Sequence, residues 1–249
     1  MVPRQVRPRR PRACGRTFNN DGSEDLAVGV PFESVGSIES AGAVNVLYGS
    51  AAGLSGAGSQ LFSQETAGVP GAAEAFDQFG AALAAGDFNG DGFTDLAVGA
   101  PGESVGAIEF AGAVTVLYGS AGGLSGANSQ LFTQNTAGVG SVAELFDLFG
   151  SALAAGDFDN DGFADLAVGA PTESVGAIEG AGAVNVLYGS AGGLSGAGSQ
   201  LFTQDTPGVP GGAEEFDFFG SALAASGPQD ATASPTSPTG SASGARTRD

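Results

Sequence analysis

Four oxygen-bearing side chains at alternate positions of a short loop carry the clearest chemistry in this chain. In DFNGDGFTD, Asp87 to Asp95, the side chains at loop positions one, three, five and nine are Asp87, Asn89, Asp91 and Asp95, and Gly92 follows the third. The same pattern recurs in DFDNDGFAD as Asp157, Asp159, Asp161 and Asp165, with Gly162. A hard dication such as Ca2+ takes six to eight oxygens at roughly 2.3–2.6 Å from carboxylates, amides, backbone carbonyls and water. Alternate residues of a tightly curled loop can supply them, and the glycine lets the backbone turn. Phe93 and Phe163, at position seven, then offer their carbonyls while the rings pack outside the loop. A third version, TFNNDGSED, places Asn19, Asp21, Ser23 and Asp25 at the later positions but begins with Thr17, so it lacks one carboxylate. An EF-hand loop opens in the same way but needs a bidentate acid at position twelve, where this chain has Val98 and Val168. Ordinary turns are also rich in Asp, Asn and Gly. Two complete copies of one pattern favour calcium over plain turns.

The elements that must hold these loops repeat with them. Asp21, Asp91 and Asp161 are spaced by 91 − 21 = 70 and 161 − 91 = 70, which marks a 70-residue structural unit. In the middle unit the apolar runs AALAAG (81–86), TDLAVGAP (94–101), AGAVTVLYGS (111–120) and SQLFTQ (129–134) read as four short strands separated by Gly and Pro turns. The loop with the carboxylates joins the first strand to the second. Small residues alternate with Leu, Val and Tyr on both faces, as a sheet buried on both sides requires. The alanine-rich stretch 71–86 could be drawn as a helix, but Gly80 interrupts it and Phe79-Gly80 recurs at the same phase in each copy. The expected fold is all-β: β-propeller blades of four antiparallel strands, in an incomplete propeller of about three repeats.

Charge narrows the function classes. The 249 residues hold 27 Asp plus Glu against 8 Lys plus Arg, with no histidine. All the positive side chains are arginines, six within residues 4–16 and two at 246 and 248. Loop carboxylates between them have no basic partner, which leaves cations or water to neutralise them. Nucleic acid is excluded as a natural partner of such a surface. Cys14 is the only cysteine, so no intrachain disulfide forms, and no apolar run is long enough for a membrane-spanning helix. The basic start of the chain has no apolar region after it and does not read as a signal peptide. No nucleophile–base pair is visible, and no catalytic residue is assigned. The glutamates Glu33 and Glu39, Glu103 and Glu109, and Glu173 and Glu179 recur at a six-residue spacing in every unit. They are expected to lie on a solvated loop rather than in an acid–base site.

The ordered combination of Phe79-Gly80, GDFNGDGFTDLAVGAP, AGAVTVLYGS and GGLS, repeated from Phe149, closely resembles the FG-GAP repeat. That repeat builds the propeller head of integrin alpha subunits and occurs in many secreted bacterial proteins. The resemblance covers about residues 18–225, in units 17–78, 79–148 and 149–218 and the start of a fourth at 219–225. Residues 1–16 are a basic segment foreign to the repeat, and 226–249 a Ser/Pro/Thr-rich tail; both are expected to be disordered. At the tail positions where the carboxylates would recur stand Gly227, Gln229, Ala231 and Pro235. The chain is therefore expected to be a piece of a longer propeller, with exposed blade faces that favour self-association.

The resemblance implies calcium in the hairpin of each blade. Its ligands would be Asp87, Asn89, Asp91, Asp95 and the Phe93 carbonyl, then Asp157, Asp159, Asp161, Asp165 and the Phe163 carbonyl. Asn19, Asp21, Ser23 and Asp25 match in the first copy, where Thr17 departs from the pattern. It also implies a non-enzymatic, extracellular or cell-surface scaffold for adhesion or ligand binding, with an unnamed protein or glycan as partner. The alternatives are the non-catalytic propeller of a secreted enzyme and a structural spacer on the cell surface.

Overall fold

The computed structural model describes residues 17–226. The basic segment 1–16 and residues 227–249 of the tail lie outside the described residues. Eleven strands and no helix are present among those described. The alanine-rich stretch 71–86 resolves into turns followed by a strand. The first sheet contains β1 (Leu26–Val30), β2 (Ala43–Tyr48) and β3 (Ser55–Phe62). The second contains β4 (Ala82–Gly86), β5 (Asp95–Ala100), β6 (Ala113–Tyr118) and β7 (Ser125–Phe132). The third contains β8 (Ala152–Gly156), β9 (Asp165–Ala170), β10 (Ala183–Tyr188) and β11 (Ser195–Phe202).

Each sheet is an antiparallel meander in sequence order, as a propeller blade is. Registers repeat from sheet to sheet: Gly86 pairs with Asp95 as Gly156 pairs with Asp165, and Val114 pairs with Phe132 as Val184 pairs with Phe202. The outermost strand is longer than its apolar core suggests, starting at Ser125 rather than Ser129. It joins β6 across a bulge between Val116 and Tyr118 that changes the register.

Burial follows the stacking of the sheets. β5 and β9 are buried along their whole length, while β1 is mostly half-exposed. The pleat sends alternate side chains of the second sheet to opposite neighbours. Leu96, Val98 and Leu117 join Val44, Val46 and Phe62 of the first sheet in one core. Ala97, Val114 and Val116 join Leu153, Leu166, Val168 and Leu187 of the third in another. The two motif glycines explain the tight joint. A methyl on Gly99 would stand 2.1 Å from the Gly150 carbonyl oxygen of the next unit, and the Gly150 N–H donates to the Gly99 partner of that unit, Gly169, at 2.9 Å. Only glycine allows backbones to approach so closely.

Phenylalanine at loop position two is the other anchor. Phe18 and Phe88 leave their own sheets and bury themselves in the core shared with the following one. Phe158, at the same position of the third unit, is 43% exposed, whereas Phe88 is 0% exposed. Replacing Phe88 with alanine is expected to cost about 3–5 kcal/mol of stability, and Phe158→Ala about 1 kcal/mol. Urea unfolding of the two variants measures the difference, and equal losses would contradict this packing.

Candidate metal centre

The acidic hairpins stand where β4 turns into β5 and β8 into β9, at the same end of consecutive sheets. Each is curled by its own side chains. Asp87 accepts the Asp91 N–H (3.1 Å) on one oxygen and the Gly92 N–H (3.0 Å) on the other, while Asn89 Oδ1 also accepts from Asp91 N (3.0 Å). The Phe93 N–H donates to Asp91 Oδ1 at 2.9 Å. The third loop repeats the set: Asp157 accepts from Asp161 N and Gly162 N, Asp159 from Asp161 N, and Asp161 from Phe163 N. Gly92 and Gly162 take φ of 91° and 97°, the left-handed turn expected of this position.

The ninth residue closes each loop from the strand. Asp95 is fully buried, and its two oxygens accept the Phe88 N–H (2.9 Å) and the Gly119 N–H (2.9 Å). Asp165 accepts from Phe158 N and Gly189 N in the same way. Burial pushes the Asp95 carboxyl up to about 7; the two N–H donors act against this, and the Asp91 and Asp87 charges add to it. Asp165 is also raised, again chiefly by burial.

Ligand oxygens of Asp157, Asp159 and Asp165 all lie within 4.8 Å of one another. Two oxygens bound to one calcium at about 2.3–2.6 Å are at most about 5 Å apart, so this donor set fits the ion. Asp161 sits in the same loop, with one oxygen engaged by Phe163 N. In the second loop Asn89 replaces Asp159 and donates its amide N–H to Asp91 Oδ2 at 3.0 Å. In the first loop Asn19, Asp21 and Ser23 reproduce the local turn, and Asp25 accepts from Phe18 N and Gly49 N. Thr17 supplies no counterpart to the two hydrogen bonds that Asp87 accepts. The Phe163 ring lies outside its own loop, against Gly90 of the preceding hairpin.

The hairpins also touch the next unit through their backbones. Thr94 N donates to the Thr17 carbonyl (3.2 Å), and Ala164 N to the Asp87 carbonyl (2.9 Å). Ser120 N and Ser190 N donate to the Phe18 and Phe88 carbonyls. The first residue of each of the first two acidic loops is therefore also part of the joint, a link that spacing within one unit does not reveal.

One expectation is corrected away from the hairpins. Glu103 and Glu173 are not on a solvated loop: they are buried against Gln64 and Gln134 of the preceding sheet's exit, whose side-chain amides donate to them. Their companions Glu109 and Glu179 are exposed, as are Glu33 and Glu39. The contact spans 39 residues and two sheets, so a six-residue spacing gave no sign of it.

Because calcium must displace the proton from a raised carboxyl, binding to the complete loops is expected to tighten as pH rises. Below about pH 7 the affinity of the second loop should fall by up to about tenfold per pH unit. Calcium titrations at pH 5.5 and pH 7.5 check this, and equal affinities would refute it.

The FG-GAP repeat model matches residues 79–117 and 149–187. Phosphatidylinositol-glycan-specific phospholipase D of Rattus norvegicus is 36% identical over 154 residues, 62% of this chain and 17% of that protein. Integrin alpha-PS5 of Drosophila melanogaster is 35% identical over 158 residues, covering 62% of this chain and 14% of the integrin. Integrin alpha-3 of Cricetulus griseus is 37% identical over 133 residues, 53% of this chain and 11% of the integrin. The chain thus spans less than a fifth of the length of these relatives. Both matched segments run from Phe-Gly through the acidic hairpin into the third strand of a blade, so the chain carries FG-GAP repeats, homologous in these repeats to integrin alpha subunits and to that phospholipase D.

Proposed function

We infer that this protein is a calcium-stabilised, extracellular ligand-binding scaffold of propeller blades, used for adhesion. The observation that carries the reading is the convergence of Asp157, Asp159 and Asp165 in a hairpin whose chemistry recurs one unit earlier. Calcium would be held by those carboxylates with Asp161 and the Phe163 carbonyl, and by Asp87, Asn89, Asp91, Asp95 and the Phe93 carbonyl in the second loop. Bound there, it cancels carboxylate repulsion and stiffens a loop that also forms the joint to the next blade. Extracellular calcium modules bind at about 10⁻⁴–10⁻³ M, which fills such loops outside the cell and leaves them empty in the cytosol.

Two surfaces suit a partner. The 137–148 loop carries exposed Val142 and Leu145, where the other units have Ala72 and Ala75 or Gly212 and Glu215, beside exposed Phe146, which recurs as Phe76 and Phe216. Beside the second hairpin, a cleft of about 440 Å³ is lined by Asn89, Asp91, Tyr118, Ser120, Asn128 and Gln130. Amides, hydroxyls and a carboxylate without any basic group suit a neutral polyhydroxylated ligand such as a glycan better than an anion. A second reading, the non-catalytic propeller of a larger secreted enzyme, is favoured by the similarity to a phospholipase D over this region alone.

Calorimetric titration of the full chain with calcium tests the central reading. One ion for each complete loop is expected, with Asp159→Ala abolishing one and leaving the other. Absence of binding at millimolar calcium would overturn it. Glycan capture in calcium that is lost in chelator would favour adhesion over the enzyme-associated reading.

A further inference from the structure

At the opposite end of the sheets from the hairpins, two buried carboxylates meet at each joint between successive blades. Gln64 follows β3 of the first sheet, Asp77 precedes β4, and Glu103 follows β5 of the second. All three are buried. The Gln64 amide donates to Glu103 Oε2, the Glu74 N–H donates to Asp77 Oδ2, and the Asp77 carbonyl accepts the N–H of Gly102, next to Glu103, at 3.1 Å, which sets the two buried acids side by side. Gln134, Asp147 and Glu173 repeat the arrangement between the second and third sheets, with the Gln134 amide also reaching Ser141 Oγ at 3.1 Å. Each aspartate is held in place by two left-handed neighbours, Phe76 and Gln78 or Phe146 and Leu148.

Two carboxylates in contact and out of water cannot both stay ionised without compensation. The groups facing each pair are the glutamine amide and one further acid, Glu74 at the first joint and Glu144 at the second. No Arg, Lys or His exists among the described residues, so none of these supplies a salt bridge to the pair. An acceptor is left over as well: Asp77 Oδ1 is buried without a donor. A proton retained between the two acids supplies a donor and removes the repulsion at once. The third unit provides a contrast within the same molecule. Asp217 accepts from Glu214 N just as Asp77 does from Glu74 N, but no glutamate meets it among the described residues, and it is exposed.

We propose that each blade-to-blade joint is a proton-dependent latch, in which Asp77 with Glu103, and Asp147 with Glu173, share a proton that holds successive sheets together and whose loss at alkaline pH loosens them. Burial is the main cause that raises these carboxyls, Asp77 to about 6 and Glu103 to about 7, with Asp147 and Glu173 also raised; the charges of Glu74 and Glu144 add to it at the aspartates, and those of Asp77 and Asp147 at the glutamates. The folded joint therefore keeps protons that the unfolded chain releases near pH 4. Its contribution is complete below that pH and is lost as pH climbs through about 7. Calcium hairpins at one end and proton latches at the other would set the rigidity of the blade array by two separate ions.

Urea unfolding of the full chain and of Glu103→Gln/Glu173→Gln, at pH 5 and pH 8 in the same calcium buffer, tests the proposal. Glutamine imitates the protonated acid, and the hairpins are common to both proteins, so their own pH dependence cancels. The midpoints should coincide at pH 5 and separate at pH 8, with the wild type lower. Parallel midpoints at both values, or a wild type that exceeds the variant at pH 8, would overturn it; the second result would mean that a cation rather than a proton neutralises the pair. If the double variant fails to fold, infrared spectroscopy of the wild type in saturating calcium at pH 7 decides the matter. A protonated-carboxyl C=O band that disappears by pH 9 supports the latch, and its absence at pH 7 refutes it.

Discussion

The neutralisation of carboxylates in a molecule with no positive side chain in its described body is the constraint on which the rest of this structure depends. With Arg, Lys and His absent from residues 17–226, each acid must be met by backbone N–H groups, by a hydroxyl or amide, by a proton or by a cation. The fold uses these remedies in different places. Asp25, Asp95 and Asp165 each take two backbone N–H donors, one from their own loop and one from the end of the neighbouring strand. Asp157 and Asp159 are exposed and cluster with Asp165 within 4.8 Å, as a cation requires, while the joint acids are dry and face amides.

The acidic loops and the packing of the sheets are parts of a single arrangement. The residue that opens each complete loop, Asp87 or its counterpart, curls the turn with its carboxylate, and in the second unit its carbonyl accepts from the next unit. The residue after it, Phe88, fills the core shared with that unit. A change in the loop therefore reaches the joint through one or two peptide units and needs no long pathway. In a repeat array each unit is stabilised mainly by its neighbours, so conditions that alter one joint alter every equivalent joint.

Much of the fold and of the candidate site was legible before any coordinates. Subtracting positions found the unit, apolar runs marked the strands, and alternate oxygen-bearing residues marked the hairpins, because strands, turns and metal loops are all local in sequence. The second loop reads as well as the third for this reason, although Asn89 rather than aspartate stands at its third position. The extent of β7, which begins four residues before its apolar core, was not legible. Its first residues pair across a bulge that no side-chain pattern announces.

What the sequence determined on its own was the repeat, the all-β character, the placing of acids in hairpins and the absence of any basic partner for them. Tertiary structure alone decided which of those acids are wet and which are dry. Glu103 and Glu109 are near neighbours in sequence and alike in chemistry, yet one is buried under Gln64 of the previous sheet and the other faces solvent. The difference arises because Gln64 and Glu103 meet only once two sheets have stacked, and a pattern read along one chain segment carries no information about a contact 39 residues away.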